Sequence, residues 1–217
     1  MKNKFNQKLL LSYCLGVIAY LICYSIPKFI VDLDNLYYPV ISLDDKIPFL
    51  SWTILIYIAA FFQWINAVLI GSKQDTKTGY RISSAIIIGS FIGFLCFVFI
   101  PTGTVRSTFE VNSIFDYLMK ITTFFDSKAN ACPSFHCFCS TIVILILGNC
   151  KDLDKKYLWL NVIFSLLIFI STVTTKQHNF IDIPCGVLLA LLAYVISKYI
   201  RFDTLFDKLY QRLKKKL

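Results

Sequence analysis

The sequence predicts an all-α fold: a bundle of six transmembrane helices forming a single membrane domain. Of its 217 residues, 57% are hydrophobic and only 16% are charged, and the mean hydropathy is +0.65. Soluble domains carry about 25% charged residues. Because a spanning helix needs about 20 residues, the chain has room for about six spans with their loops and for no separate soluble domain.

Six apolar segments carry this prediction. A basic tail precedes the first, which lacks a small-residue cleavage site, so we expect a retained signal anchor rather than a cleaved signal peptide. The fourth contains a histidine, two cysteines and two serines, which favours a place inside the bundle. The six segments comprise approximately residues 9–26, 49–70, 80–100, 134–147, 157–175 and 180–200.

The distribution of lysine and arginine predicts the orientation. Sixteen of the 22 basic residues lie in the N-terminal tail and in residues 71–81, 149–156 and 198–217. The positive-inside rule places these segments, with both termini, in the cytoplasm. Topology thus explains the net charge of +9, and we expect no nucleic-acid partner. The end of the chain, from residue 201, has the spacing of an amphipathic helix on an anionic leaflet.

The opposite, non-cytoplasmic side contains a long loop, residues 101–133. Loops of this length are usually functional or disordered. Apolar residues at helical spacing predict a helix within residues 109–126, lying along the outer interface. The acidic pairs Asp32/Asp34 and Asp44/Asp45 are predicted to be solvated loop residues rather than a metal site.

The two histidines of the chain both fall at predicted outer ends of spans, on the same side as Arg106. His136 follows Pro133, which suits the first turn of a helix. The free N–H groups of Ser134, Phe135 and His136 would then point out of the membrane, and such a helix start favours an anion such as phosphate. His136 would stand there as a proton donor.

The second histidine, His178, lies four residues before Asp182, so on a helix the two share a face. A carboxylate bonded to one imidazole nitrogen leaves the other nitrogen free as a nucleophile. Lys176 and Arg106 are candidates to neutralise the oxygens of a phosphoryl group. Asp182 is predicted near the start of the sixth span, and intramembrane ionisable residues point to function.

A metal site is the alternative for the segment around His136, because Cys132, Cys137 and Cys139 lie beside it. Such a site would crowd its ligands onto one or two helical turns. The eight cysteines form no C-x-x-C pair and lie mostly in apolar runs, where cysteine behaves as a small hydrophobe. We therefore expect no metal, no other cofactor and no disulfide framework.

With these residues in view, the chain resembles the type 2 phosphatidic acid phosphatase superfamily of membrane lipid phosphatases. The motifs of that family read approximately K-x6-R-P, P-S-G-H and S-R-x5-H-x3-D. Residues 133–136 match the second motif apart from its glycine, and Ser171, His178 and Asp182 match the third. The resemblance covers Pro101 to Gly186, and the six-span fold of the family extends it to nearly the whole chain.

The resemblance implies a separate role for each residue of the site. His178 would attack phosphorus to form a phosphohistidine, Asp182 would orient it, and His136 would protonate the leaving group. Ser134 and the backbone around it, including Phe135, would hold phosphate oxygens without a metal ion.

Two departures from the family pattern concern the phosphate-holding charges. Thr172 replaces the arginine of the third motif, and Arg106 is followed by Ser107 with no lysine seven residues upstream. Lys176, one helical turn after Thr172, is a candidate replacement. The sequence pattern T-K-Q-H-x-x-x-D and the segment 45–49 most resemble those of the branch related to inositol phosphorylceramide synthases.

Three functions fit these observations. The first is a phosphatase for a lipid phosphate or pyrophosphate, at a site near the outer leaflet of a bacterial plasma membrane. The second is a phosphotransferase that uses the same chemistry until an alcohol or lipid replaces water. The third is a small transporter or lipid-binding bundle without catalysis. The lipid substrate and the oligomeric state do not follow from the sequence.

Overall fold

The computed structural model describes residues 5–126 and 128–215 and is built from helices. Helix accounts for 69% of the chain, and no strand forms among the described residues. Two isolated β-bridges, from Thr102 to Tyr37 and to Asn130, join the loops at one end of the bundle. The predicted all-α class is therefore confirmed.

Ten α-helices form within the described ranges, and each of the six predicted apolar segments contains one long helix. Helices α1, α4, α5 and α8 lie in segments long and apolar enough to cross a membrane, while α7 and α9 are shorter, with 14 and 15 residues. In chain order the helices are α1 (Gln7–Ser25), α2 (Pro27–Ile30), α3 (Ser42–Lys46), α4 (Ile54–Gly71, after a 3-10 turn at Ser51–Thr53), α5 (Thr76–Phe99), α6 (Ile114–Phe125), α7 (Phe135–Gly148), α8 (Lys155–Thr174), α9 (Asp182–Ile196) and α10 (Asp203–Lys214).

Helix α7 is the centre of the bundle and packs against α4, α5, α8 and α9. Its aromatic side chains Phe135 and Phe138 are fully buried. On α5, Gly93 makes room for the first of these rings, because a Cβ there would lie 2.2 Å from Phe135 Cε1. Small residues let neighbouring helices approach closely in this way. The predicted interior position of the fourth apolar segment agrees with this packing.

Two amphipathic helices lie at opposite ends of the bundle. Helix α6 lies in the long loop, as predicted, and buries Met119 against Ile54 and Tyr57. Helix α10, also predicted, inserts Phe206 between Leu9 and the ring of Tyr80. Both helices therefore pack against the bundle itself.

Three basic residues from the charge pattern, Lys2, Lys4 and Lys216, lie outside the described residues.

Asp75 caps the start of α5 by accepting from the N–H of Thr78 at 2.9 Å. Asp154 caps α8 in the same way through the N–H of Lys156, at 2.8 Å. Such caps satisfy donors that the first helical turn leaves without intrahelical partners.

Helix α9 approaches α7 closely at Gly186. A Cβ on this residue would lie 2.3 Å from the carbonyl oxygen of Ser134 and 3.0 Å from Cys137 Cβ. Because the obstructing atom belongs to the backbone, no side-chain rotation relieves the clash. Gly186 thus sets the distance between the starts of the two helices.

We expect Gly186→Ala to lower the free energy of unfolding in detergent by about 1–3 kcal/mol, because the added methyl group must push α9 away from α7. Gly148→Ala is the matched control, since a Cβ at Gly148 meets no heavy atom within 4 Å. Thermal unfolding of the two variants and the wild type makes the comparison. Equal midpoints for Gly186→Ala and wild type would contradict the proposed contact.

Candidate functional site

His178 lies in the turn between α8 and α9 rather than on a helix. Helix α8 ends at Thr174, and Lys176 adopts a left-handed backbone conformation with φ of 54°. The N–H groups of Gln177 and His178 both donate to the carbonyl of Thr172, at 3.1 and 3.0 Å. The expectation that His178 and Asp182 share a helical face is therefore wrong, because α9 begins only at Asp182.

The turn nevertheless brings the two side chains together. His178 Nδ1 lies 2.8 Å from the carbonyl oxygen of Ala131 and 3.3 Å from Asp182 Oδ2. A carbonyl oxygen only accepts hydrogen bonds, so Nδ1 must carry the proton. The lone pair of the neutral ring then resides on Nε2, the nitrogen that a nucleophilic histidine needs. The main-chain carbonyl of Ala131 is the closer of the two partners.

Asp182 links this turn to the start of α7. Its side chain is fully buried, and Oδ2 also accepts from the N–H of Asn179 at 2.8 Å. Its backbone carbonyl accepts from the N–H of Ser134 at 3.1 Å. Asp182 Oδ1 has no hydrogen-bond partner within the part of the chain that the structure describes.

The start of α7 differs from the prediction by one residue. Ser134 is the N-cap, its hydroxyl accepting from the N–H of Cys137 at 3.4 Å. Pro133 precedes the cap, after a cis peptide bond, and is not in the first helical turn. The N–H of Ser134 is used by Asp182, contrary to the expectation that it points outward. The N–H groups of Phe135 and His136 remain as first-turn donors.

His136 is buried among aromatic rings at this helix start. Its imidazole stacks on Tyr57 with ring centroids 3.8 Å apart, and the rings of Trp64 and Phe61 lie at 5.2 and 5.7 Å. The imidazole of His178 lies 6.4 Å away, centroid to centroid. Among the described residues, His136 Nε2 has no hydrogen-bond partner. The two histidines therefore meet in one pocket.

Arg106 is linked to the site through the end of α6. Its guanidinium donates to the carbonyls of Thr123 at 3.0 Å and Asp126 at 3.5 Å. The hydroxyl of Thr123 accepts from Gln177 Nε2 at 3.0 Å. Arg106 is thus connected, by way of α6, to the residue beside His178.

The loop before α4 is tied to the histidine turn. The ammonium of Lys176 donates to the carbonyls of Asp44 at 2.8 Å and Ile47 at 2.6 Å. The carboxylate of Asp44 accepts from the N–H of Phe180 at 2.7 Å. Asp44 is half-exposed, in agreement with the predicted solvation, but it lies in α3 and also closes the turn that carries His178.

Thr172, at the position of the arginine in the family motif, is buried and donates to Phe169 within its own helix.

The cysteines around His136 are packed in several directions. Cys132 faces Asp182 and Cys185, and burial, reinforced by the carboxylate of Asp182, raises the pKa of its thiol, which keeps it protonated. Cys139 faces an apolar cavity on the other side of α7. Within the described ranges, no group of three or more His, Cys, Asp or Glu side chains has a metal-binding arrangement. Asp32 instead closes a local turn with Asp34 and Asn35.

Sequence reasoning missed several groups at this site. Tyr57 sits in an apolar span where no pattern distinguishes it from other core aromatics. The carboxylate of Asp126 accepts hydrogen bonds from the hydroxyls of Tyr57 and Tyr24, which are distant in sequence. The Ala131 carbonyl is a main-chain group and leaves no trace in the amino-acid pattern.

The contacts of Lys176 favour a structural role. We expect Lys176→Ala to lower the free energy of unfolding by about 1.5–3 kcal/mol, the range for hydrogen bonds that involve a charged group. Arg106→Ala should lower turnover far more than Lys176→Ala does. Thermal unfolding tests the first point, and steady-state rates of phosphate release from dioleoyl phosphatidic acid in detergent test the second. Unchanged stability together with a loss of turnover equal to that of Arg106→Ala would instead restore Lys176 as a phosphate ligand.

Comparison with known proteins agrees with this arrangement. The sequence model of the PAP2 superfamily matches residues 40–196, about three quarters of the chain. The matched part includes α4 to α9 and the histidine pocket. No curated protein and no solved structure matches the chain. The matched superfamily is the one that the motifs around His136 and His178 resemble, a group of phosphatases and phosphotransferases. The chain therefore belongs to the type 2 phosphatidic acid phosphatase (PAP2) superfamily.

Proposed function

We propose that this chain is an integral membrane phosphatase for lipid phosphates or pyrophosphates, acting through a phosphohistidine at His178. The observation that carries the proposal is the pairing of the two imidazoles 6.4 Å apart, with His178 Nδ1 bound by Ala131 and Asp182. Reacting atoms in a productive complex lie about 3–3.5 Å apart. We propose that a phosphoryl group with its leaving oxygen binds between the two rings.

The proposed first step is attack of His178 Nε2 on phosphorus. The N–P bond forms as the P–O bond to the leaving group breaks, and His136 gives its proton to the departing oxygen. The positive charge that develops on the His178 ring is stabilised by the Ala131 carbonyl and the Asp182 carboxylate. In the second step His136 takes a proton from water as the water oxygen bonds phosphorus, and the N–P bond to His178 breaks to release phosphate and the free imidazole.

Phosphate oxygens would be held by the N–H groups of Phe135 and His136, the hydroxyl of Ser134 and the guanidinium of Arg106. Backbone donors at a helix start favour an anion. The Ser134 hydroxyl already accepts from Cys137, so its proton is available to a phosphate oxygen. The proposed chemistry uses these protein donors and requires no metal ion.

For the membrane, we propose six spans with both termini in the cytoplasm and the pocket on the other side, in a bacterial plasma membrane. Helices α7 and α9 would be the short fourth and sixth spans. At about 1.5 Å per residue, the 14 residues of α7 cover only about 21 Å of a hydrocarbon core about 30 Å thick. The pocket at its start would then lie a little below the head groups of the outer leaflet, with α6 along the outer interface.

An apolar cavity supports a lipid substrate. It has a volume of about 570 Å³ and lies between α1, α4 and α7. Phe61 and Trp64 line this cavity and also contact His136. A hydrocarbon chain lying there would place its ester oxygen beside the proposed proton donor. Pockets of this size commonly bind small ligands.

We expect His178→Ala and His136→Ala each to lower phosphate release from dioleoyl phosphatidic acid in detergent by at least a hundredfold, because each removes a group that makes or breaks a bond. Wild-type activity should persist in EDTA. Thr141→Ser, a change on α7 remote from phosphate chemistry, is the folding control. Normal rates in both histidine variants would favour a transporter or lipid-binding bundle, and loss of wild-type activity in EDTA would contradict the metal-independent mechanism.

A second candidate, a phosphotransferase, is favoured by the reduced positive charge of the site. Thr172 is neutral and bonded within α8, and two of the donors of Lys176 are used by carbonyls. A phosphodiester carries one negative charge where a monoester carries up to two, so it needs fewer cations. An alcohol acceptor would then replace water in the second step.

Phosphate release without any alcohol acceptor separates the two candidates. For the phosphatase we expect continuous turnover of dioleoyl phosphatidic acid by purified protein in detergent. The transferase would release no phosphate and would exchange head groups only after a phosphodiester donor and an alcohol such as inositol or diacylglycerol are added. Liquid chromatography with mass detection of the lipid products measures both reactions.

A further inference from the structure

Tyr57 lies between two halves of the site, one around the histidines and one around Arg106. It is in the first turn of α4 and is only 2% exposed. Its ring and its hydroxyl contact different groups. Tyr57 itself lies outside the family motifs, which comprise the Arg106 loop, the start of α7, the end of α8 and the turn into α9.

The ring of Tyr57 forms one wall of the His136 pocket. The two rings are stacked at 3.8 Å with an interplanar angle of 28°, the shortest of the three aromatic contacts to this imidazole. Trp64 is itself held by a hydrogen bond from its indole N–H to Ser140, at 3.2 Å. The imidazole is therefore oriented by packing, since its Nε2 has no hydrogen-bond partner among the described residues.

The hydroxyl of Tyr57 holds the end of α6. It donates to Asp126 Oδ2 at 3.3 Å, and the hydroxyl of Tyr24 donates to Asp126 Oδ1. Asp126 is the C-cap of α6, and its carbonyl and that of Thr123 accept from Arg106. Two tyrosines from α1 and α4 thus fix the segment that orients the guanidinium.

We infer that Tyr57 is a positioning residue for both halves of the site: its ring orients His136 for proton donation, and its hydroxyl, through Asp126, orients Arg106 for phosphate. The inference rests on the proposed function, because it assigns His136 and Arg106 the roles given above. It predicts that the two contacts of one side chain can be separated by substitution. Tyr57→Phe keeps the ring and removes the hydroxyl, whereas Tyr57→Leu removes both.

Substrates with different leaving groups distinguish the proposed role of the Tyr57 ring from a general loss of structure. 4-Nitrophenolate departs without protonation, whereas phenolate and a lipid alkoxide benefit from a proton donor. We expect Tyr57→Leu to lower turnover of phenyl phosphate and dioleoyl phosphatidic acid at least about tenfold more than turnover of 4-nitrophenyl phosphate. Tyr57→Phe should leave this ratio at the wild-type value.

The Michaelis constant reports the role of the hydroxyl. We expect Tyr57→Phe and Tyr24→Phe each to raise KM about three- to tenfold for all three phosphates, since each removes one hydrogen bond from Asp126. Tyr157→Phe and Tyr157→Leu are matched controls, because the Tyr157 hydroxyl bonds Asn66 on α4, far along the helix from the pocket. These controls should retain wild-type ratios and KM values.

Two results would overturn the inference: an unchanged leaving-group ratio in Tyr57→Leu, or an unchanged KM in Tyr57→Phe. Parallel assays of His178→Ala separate this failure from failure of the proposed function. If His178→Ala is inactive while the Tyr57 variants behave like the Tyr157 controls, the mechanism stands and the role of Tyr57 is wrong. If His178→Ala is as active as wild type, the proposed function itself is wrong.

Discussion

The buried carboxylate of Asp182 is the group on which the arrangement of the site depends. Its Oδ2 contacts His178 and the N–H of Asn179, and its own carbonyl holds the N–H of Ser134 at the start of α7. A charge taken out of water is costly unless it is hydrogen-bonded, so the turn before α9 must fold back to supply donors. That requirement joins the end of α8, the start of α9 and the start of α7 in one structure. Gly186 completes it by letting α9 approach the Ser134 carbonyl.

Around this junction, the two imidazoles are held by different physical means. His178 is fixed by hydrogen bonds to Ala131 and Asp182, which determine its tautomer. His136 is fixed by aromatic packing and keeps Nε2 without a partner among the described residues. A nucleophile needs a defined lone pair, while a proton donor must exchange its proton with substrate and water. The two environments suit these two tasks.

Much of this architecture could be predicted from the sequence, because hydropathy and helix capping are local properties. The apolar segments, α6 and α10, and the nearness of His136, His178 and Asp182 all follow from such patterns. The conformation of the histidine turn does not, because it depends on the left-handed Lys176 and on two bonds to the Thr172 carbonyl. Tyr57, Asp126 and Asp44 were also missed, since their partners are distant in the chain and their residue types are ordinary at these positions.

The measurement that tests the central claim most directly is the location of phosphate on the protein during turnover. Wild-type protein mixed with dioleoyl phosphatidic acid would be quenched in base within milliseconds, digested and examined by mass spectrometry. Our account predicts an acid-labile, base-stable phosphoryl group on the peptide that contains His178, and none in His178→Ala. Phosphate on another residue, or undiminished turnover of the His178→Ala variant, would contradict it.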